Sequence, residues 1–324
     1  MRVLITGATG LIGSAVARTA RERGLEARAL VRPGSRTAEL EALGCTVVRG
    51  DVTSAEDLLR AAEGVDHIVH AAGLVPGGVA ATLADFESVN VVGTRNVVRA
   101  ARAHGVRRTV TFTTGIHRPD GSLLPPERLG EPYAATKAAA FTELQEAVAE
   151  GFDAVIVSPG ATIGPAPTLA RAVAPPGFNS RIVLAIRGGF DAFPAFRIPP
   201  VLAADVARAT VDALELGRPG EVYMTGGEST DTVELFNLAC EAAGVPHRVR
   251  ALTEEELATE SVRERWGSAI ARVAAETLAA KRAGTEAPRP PLHPLTVERL
   301  GYTPADARTA VETTVRWLRE EHLV

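Results

Sequence analysis

Of the 35 basic residues in this 324-residue sequence only two are lysine, Lys137 and Lys281, and tyrosine occurs only as Tyr133, Tyr223 and Tyr302. Cysteine is limited to Cys45 and Cys240. That scarcity argues against a disulfide framework or a cysteine metal site, so no metal is expected and a reducing cytoplasm is the expected setting. Aromatic residues make up 4% of the chain, so a core must be built from Val, Leu, Ile and Ala. The formal net charge is -4 without any block of like charge, and the electrostatic footprint of a nucleic-acid binder is missing. Long apolar runs are missing too. A long uncharged stretch, 68–84, contains Pro76, several glycines and His70, which makes a poor membrane span. Arg2 leads directly into Val3–Thr6, leaving no targeting segment to expect. A soluble protein with a small-molecule partner, and neither nucleic acid nor membrane, is the expectation.

The first half alternates short apolar runs with longer helical patterns, the signature of an α/β fold with a doubly wound parallel sheet. Strands are expected at 3–6, 26–31, 46–48, 67–70, 109–112 and 154–157. Helices are expected at 11–23, at 86–104 as one long amphipathic element, and at 133–150. From 166 to 199 regularity breaks down among prolines, glycines and four phenylalanines, Phe178, Phe190, Phe193 and Phe196. A helix at 203–216 and a strand at 221–225 follow, and helices dominate from Thr232 onward, interrupted by a proline-rich loop at 288–294. This order predicts a nucleotide-binding domain over 1–165, completed by 200–226. Segments 166–199 and 227–324 would form a smaller, mostly helical C-terminal cap, with substrate bound between the two.

The first strand runs into Gly7-Ala-Thr9-Gly10-Leu11-Ile12-Gly13, which opens a helix. One glycine permits the tight turn, the next admits the backbone close to a pyrophosphate, and the third lets helix and strand pack closely. The free N–H groups and positive dipole end of the helix suit phosphate oxygens. At the end of the second strand, where an NAD enzyme usually carries Asp or Glu for the ribose diol, stand Arg32, Pro33, Gly34, Ser35 and Arg36. A guanidinium suits a 2′-phosphate instead, so NADP(H) is favoured, with NAD(H) the other possibility. Asp51 and Val52 follow the third strand, where the acid could accept from the adenine amino group or cap a helix. Asn90 is an amide on the inner part of the long helix, as a cofactor contact or a structural bridge.

One of the two lysines lies four residues after one of the three tyrosines, in Tyr133-Ala-Ala-Thr-Lys137. Chance would give such a pair with a probability of roughly 0.02. A helix sets the two on one face. Carbonyl reduction needs a hydride and a proton for the developing alkoxide. A phenol with an ordinary pKa near 10 shuttles that proton poorly, and a neighbouring ammonium is expected to lower it. Thr114, at the end of the fifth strand, could hydrogen-bond the substrate oxygen.

Beyond these motifs, the chain carries His70-Ala71-Ala72-Gly73, Val89-Asn90-Val-Val-Gly-Thr94, Ser158-Pro159-Gly160-Ala-Thr-Ile163-Gly-Pro165, Ala203-Ala-Asp205-Val-Ala207 and Leu300-Gly-Tyr302-Thr-Pro304. As a set it resembles the extended short-chain dehydrogenases/reductases, the group that includes NAD-dependent epimerases and dehydratases. Within that group it looks most like the dihydroflavonol-reductase and 3β-hydroxysteroid-dehydrogenase branch. The resemblance implies a Rossmann-type fold and a catalytic set of Thr114, Tyr133 as acid/base and Lys137 as its partner. It also implies cofactor contacts from Ala71, Ala72 and Gly73, and from Pro159, Gly160 and Ile163 at the nicotinamide end. A homodimer formed through the helices at 86–104 and 133–150 is implied as well. The expected activity is a ketoreductase on a small apolar or aromatic substrate. Two other readings stand beside it: a sugar-nucleotide epimerase or dehydratase with bound NAD, its diphosphate held by Arg181, Arg187 or Arg197, and a non-catalytic NADP-sensing protein.

Overall fold

Val3, Leu4 and Ile5 are fully buried, as befits a parallel strand covered on both faces, whose sequence reads as a continuous apolar run. In the computed structural model, which describes residues 1–77, 81–286 and 292–324, they belong to β1 (Arg2–Thr6). With β2 (Glu26–Val31), β3 (Thr46–Arg49), β4 (His67–His70), β5 (Arg108–Phe112), β6 (Ala154–Pro159) and β7 (Val222–Thr225), β1 forms a seven-stranded sheet in the order β7-β6-β5-β4-β1-β2-β3. Every pairing in it is parallel. The order reverses between β1 and β4, and an open sheet of this kind binds ligands beyond the carboxyl ends of its strands at such a switch point.

One face is covered by α1 (Leu11–Glu22), and its packing partner there is a second helix, Ala203–Leu216. Small side chains meet at this contact: Ala15, Ala17 and Ala20 from one side, Ala203, Ala207 and Ala213 from the other, so the axes approach closely. The other face carries α2 (Ala55–Ala62), α3 (Gly93–Ala103) and α4 (Pro132–Ala149), with Leu58, Val97, Phe141 and Leu144 in its core. The single long helix expected at 86–104 is instead three pieces: an α-turn at Leu83–Phe86, a π-helical segment at Glu87–Val92, and α3. The wider π turn carries the buried Asn90, and such bulges gather at functional sites.

Residues 166–199 are less irregular than their composition suggests. They contain α5 (Phe178–Ile186) and short pairings of Arg197–Ile198 with Thr230–Asp231 and of Ala192–Phe193 with Arg250–Ala251. A second core joins α5 to Leu235, Phe236 and Ala239, and to Val311, Val315 and Leu318 near the C-terminus. Phe190, Phe193, Phe236 and Trp266 form an aromatic cluster within it, with ring centroids 4.6 to 5.5 Å apart. Phe190 and Phe193 are therefore core residues. Leu300 and Tyr302 lie in the segment assigned to the cap but pack in the core of the nucleotide lobe. Asp205 accepts the Ala305 amide at 3.0 Å and pins that returning chain. The expected proline-rich loop at 288–294 falls mostly outside the described residues, and Pro294 opens a short helix. Among the described residues no helix is long and apolar enough to cross a membrane.

Candidate active site

The glycine loop is built for a close ligand. Gly7 has φ +68, and a Cβ there would lie 2.5 Å from the Ala72 nitrogen. A Cβ on Gly13 would sit 2.2 Å from the Gly7 carbonyl oxygen. Both glycines are thus fixed by backbone approaching backbone, and the helix and two strand ends converge without side chains between them. Gly10 is the N-cap of α1, and no side chain caps the helix, so its first N–H groups are left for phosphate oxygens. Thr9, Leu11 and Ile12 are partly accessible around the turn. A residue the sequence did not single out holds this loop from the other lobe: the Thr168 hydroxyl donates to the Thr9 carbonyl at 2.9 Å and lies 3.1 Å from Ser14 Oγ.

Arg32 is exposed at the end of β2 and has no ion pair among the described residues. Arg49 braces the loop behind it, donating to the carbonyls of Arg32 (3.4 Å) and Ser35 (2.8 Å) and to the Thr37 hydroxyl (3.2 Å). Asp51 accepts from the amide and hydroxyl of Thr53 through one carboxylate oxygen. The cap of α2 is Ser54, not Asp51. Val52 is buried against Gly93.

At the end of β4 a chain of hydrogen bonds fixes the backbone that the resemblance assigns to the cofactor. The Thr94 hydroxyl donates to the Asn90 carbonyl at 2.7 Å, so toward His70 it can only accept, from Nε2–H at 3.3 Å. His70 Nδ1 is then the acceptor for the Thr6 hydroxyl at 2.8 Å, and Thr6 Oγ1 accepts the Ala72 amide at 3.3 Å. Burial, with the Lys137 charge as the lesser cause, lowers the His70 pKa to about 3. The ring is therefore neutral, and it holds Ala71, Ala72 and Gly73 in register with the glycine loop. Asn90 is 1% exposed. Its Oδ1 accepts the Leu74 amide at 2.9 Å, and its Nδ2 donates to the Leu74 carbonyl (3.3 Å) and to Thr136 Oγ1 (3.1 Å). Those bonds occupy the amide as a bridge between the loop after β4 and α4, so Asn90 positions the site rather than facing a ligand.

Tyr133 and Lys137 lie one turn apart on α4, whose first residue, Pro132, is pre-set for a helix start. Lys137 is 8% exposed, and its Nζ donates to the Phe112 carbonyl at 3.1 Å. Burial lowers its pKa to about 8. A Cβ on Gly73 would come within 3.1 Å of Nζ, so the ammonium lies against the very segment fixed by His70. The Thr114 side chain hydrogen-bonds the Tyr133 phenol, and the Thr114 carbonyl accepts from Ser158 Oγ at 2.7 Å. The Phe86 ring stands 6.4 Å from that of Tyr133.

Two expectations are overturned here. Burial raises the Tyr133 pKa, and only the Thr114 hydrogen bond offsets that rise; the Lys137 ammonium, turned toward Phe112, does not lower it. Ile163 is 0% exposed and belongs to the second core. The strand Ala161–Ile163 pairs with Pro200–Leu202, and Ile163 points away from the cleft, so it cannot line the nicotinamide. Pro159 and Gly160, just before it, are partly accessible. A Cβ on Gly160 would lie 2.2 Å from the Pro199 carbonyl oxygen.

The model of the NAD dependent epimerase/dehydratase family matches residues 3–226, and the chain belongs to that family. Sterol demethylase protein B of Methylococcus capsulatus is 31% identical over 260 residues, covering 76% of each chain. The 2-alkyl-3-oxoalkanoate reductase of Stenotrophomonas maltophilia is 29% identical over 270 residues, covering 78% of this chain and 79% of the relative. Among solved structures, that of gox2253 superposes with a TM-score of 0.82 at 27% identity, over 99% of both chains. The protein is an extended short-chain dehydrogenase/reductase, an NAD(P)-dependent enzyme acting on CH–OH and carbonyl groups.

Proposed function

We propose that this enzyme is an NADP(H)-dependent ketoreductase, reducing a ketone or aldehyde or oxidising the corresponding alcohol. The observation that carries the reading is the Thr114 side chain on the Tyr133 phenol with, one helical turn along, the Lys137 ammonium beside Gly73. The bound nicotinamide would supply or accept the hydride. The chain's own residues do the rest. The raised pKa keeps the Tyr133 phenol protonated at neutral pH, the form required of an acid that donates to the carbonyl oxygen. The Thr114 hydroxyl holds that oxygen in line. As the proton leaves, the Thr114 hydrogen bond, which favours the ionised form, steadies the phenolate that remains.

The glycine cradle, the uncapped start of α1 and the backbone of Ala71–Gly73 would hold the dinucleotide. Arg32, with Ser35 beside it, supports NADP(H), because its unpaired guanidinium stands where an acid would repel a 2′-phosphate. The epimerase reading is less well supported. Of the three arginines available for a diphosphate, Arg197 pairs with Glu286 and Arg187 is exposed. A sensor would have no use for the acid. The homodimer expected through the helices at 86–104 and 133–150 is part of the same proposal. The name of the Stenotrophomonas relative, a reductase of an oxoalkanoate, agrees with carbonyl reduction. Oxidation of NADPH over a panel of ketones tests it: turnover with NADPH preferred over NADH is the expected result. Tightly copurified NAD with turnover of a nucleotide sugar would replace this reading by the epimerase one.

A further inference from the structure

We infer that Arg181 is an anchor for a carboxylate on the substrate, so that the carbonyl reduced at Tyr133 belongs to an oxo acid. The inference rests on the reductase reading and adds the class of substrate. Arg181 lies on α5 with its guanidinium carbon 5.3 Å from the Phe178 ring centroid and 5.7 Å from that of Phe193. Burial lowers its pKa, yet no carboxylate or carbonyl among the described residues pairs with it. Three other arginines of this lobe have partners: Arg197 in Glu286, Arg250 in Glu256, and Arg265 in the Gly189 carbonyl. Half-buried charges are ordinarily paired. The Arg181 nitrogens are not among the sealed, unpartnered atoms, so they keep access to open space and can still bind.

Two contacts hold α5 against the walls of the cleft. Pro176, just before the helix, packs on the loop after β4, since a Cβ on Gly77 would come within 2.7 Å of its ring. That loop continues from Gly73 and Leu74, beside Lys137 and Asn90. Asn179 binds both the amide (2.9 Å) and the carbonyl (3.0 Å) of Gly164, tying α5 to the segment that follows Pro159 and Gly160. Arg181 thus sits on a helix fastened at two points to the walls of the site. Its planar fork matches a carboxylate bidentately, and the half-buried Phe178 ring beside it offers apolar surface for an aliphatic chain.

The test compares 3-oxododecanoate with its methyl ester in NADPH oxidation by the wild type, Arg181→Gln and Arg181→Lys. Titration of dodecanoate into the protein saturated with NADP+ is a readout independent of turnover. The wild type should prefer the acid. Arg181→Gln should lose about 10- to 100-fold in kcat/KM on the acid, mostly through KM, with the ester within about twofold and partial recovery in Arg181→Lys. Equal losses on acid and ester, or no preference for the acid in the wild type, would overturn the assignment while leaving the reductase reading intact. If the wild type turns over neither compound nor any ketone of the panel, the reductase reading fails. Dodecanoate then decides alone: binding weakened in Arg181→Gln supports the anchor, and equal or absent binding overturns it.

Discussion

Lys137 should make the cofactor-free protein less stable than it could be. Its pKa falls from 10.5 to about 8 on folding because burial disfavours the ammonium. Between those two values the unfolded chain binds more protons than the folded one, so stability rises as pH climbs from about 8 to 10.5. Below pH 8 the full cost of the buried charge is present, about 3 kcal/mol at 1.36 kcal/mol per pKa unit. Lys137→Met removes that cost with little change in volume, but leaves the Phe112 carbonyl without its donor at 3.1 Å, a loss of about 1–3 kcal/mol. The expected balance at pH 7 is a gain of up to about 2 kcal/mol, or a few degrees in melting temperature. Thermal melts of cofactor-free wild type and Lys137→Met at pH 7, 8, 9 and 10 measure it. The variant should melt higher at pH 7, and the gap should close or reverse by pH 10, where the wild-type amine is neutral. A variant that melts lower at pH 7, or a gap that does not change with pH, would refute the reasoning. The same substitution should abolish turnover, which explains why a stability cost persists at this position.

Arg32→Glu should weaken NADPH binding by about 10- to 150-fold, the worth of a charge-assisted contact, and leave NADH within about threefold; fluorescence titration with both cofactors measures the difference, and equal losses would refute the 2′-phosphate role. Gly13→Ala places a methyl 2.2 Å from the Gly7 carbonyl oxygen. It should destabilise the protein by about 1–3 kcal/mol and weaken both cofactors together; an unchanged melting temperature would contradict the packing described.

Much of the sheet was legible because its strands are short apolar runs separated by helices, and β1, β2 and β4 begin and end at or within a residue of where the sequence placed them. The helix at 203–216 was equally clear. Legibility failed where a tertiary partner, not local pattern, decides the outcome. Nothing in the apolar spacing of 86–104 announces a π turn. Nothing local marks Phe190 and Phe193 as core until Phe236 and Trp266, distant in sequence, surround them. The helical repeat of Phe178, Ile182, Ala185 and Ile186 was present but masked by the prolines and glycines before it.

At the site, residue types were easier to read than their environments. The pairing of a rare Tyr with a rarer Lys gave the chemistry, but the direction of the Tyr133 shift depends on burial and on Nζ turning to Phe112, neither of which spacing reveals. Ile163 stands in a motif whose neighbours face the cleft, and only its strand pairing turns it inward. Thr6, His70 and Thr94 form a buried relay across three separate elements, invisible to any local window. Thr168 reaches the glycine loop over more than 150 residues of chain.

The most direct test is single-turnover oxidation of bound NADPH by Tyr133→Phe on a ketone that the wild type reduces. With the phenol acting as proton donor, the rate should fall by about 10²- to 10⁴-fold, while NADPH affinity stays within about threefold of wild type. A Tyr133→Phe enzyme that keeps its rate within a few-fold, its cofactor still bound, would contradict the assignment of the acid to Tyr133.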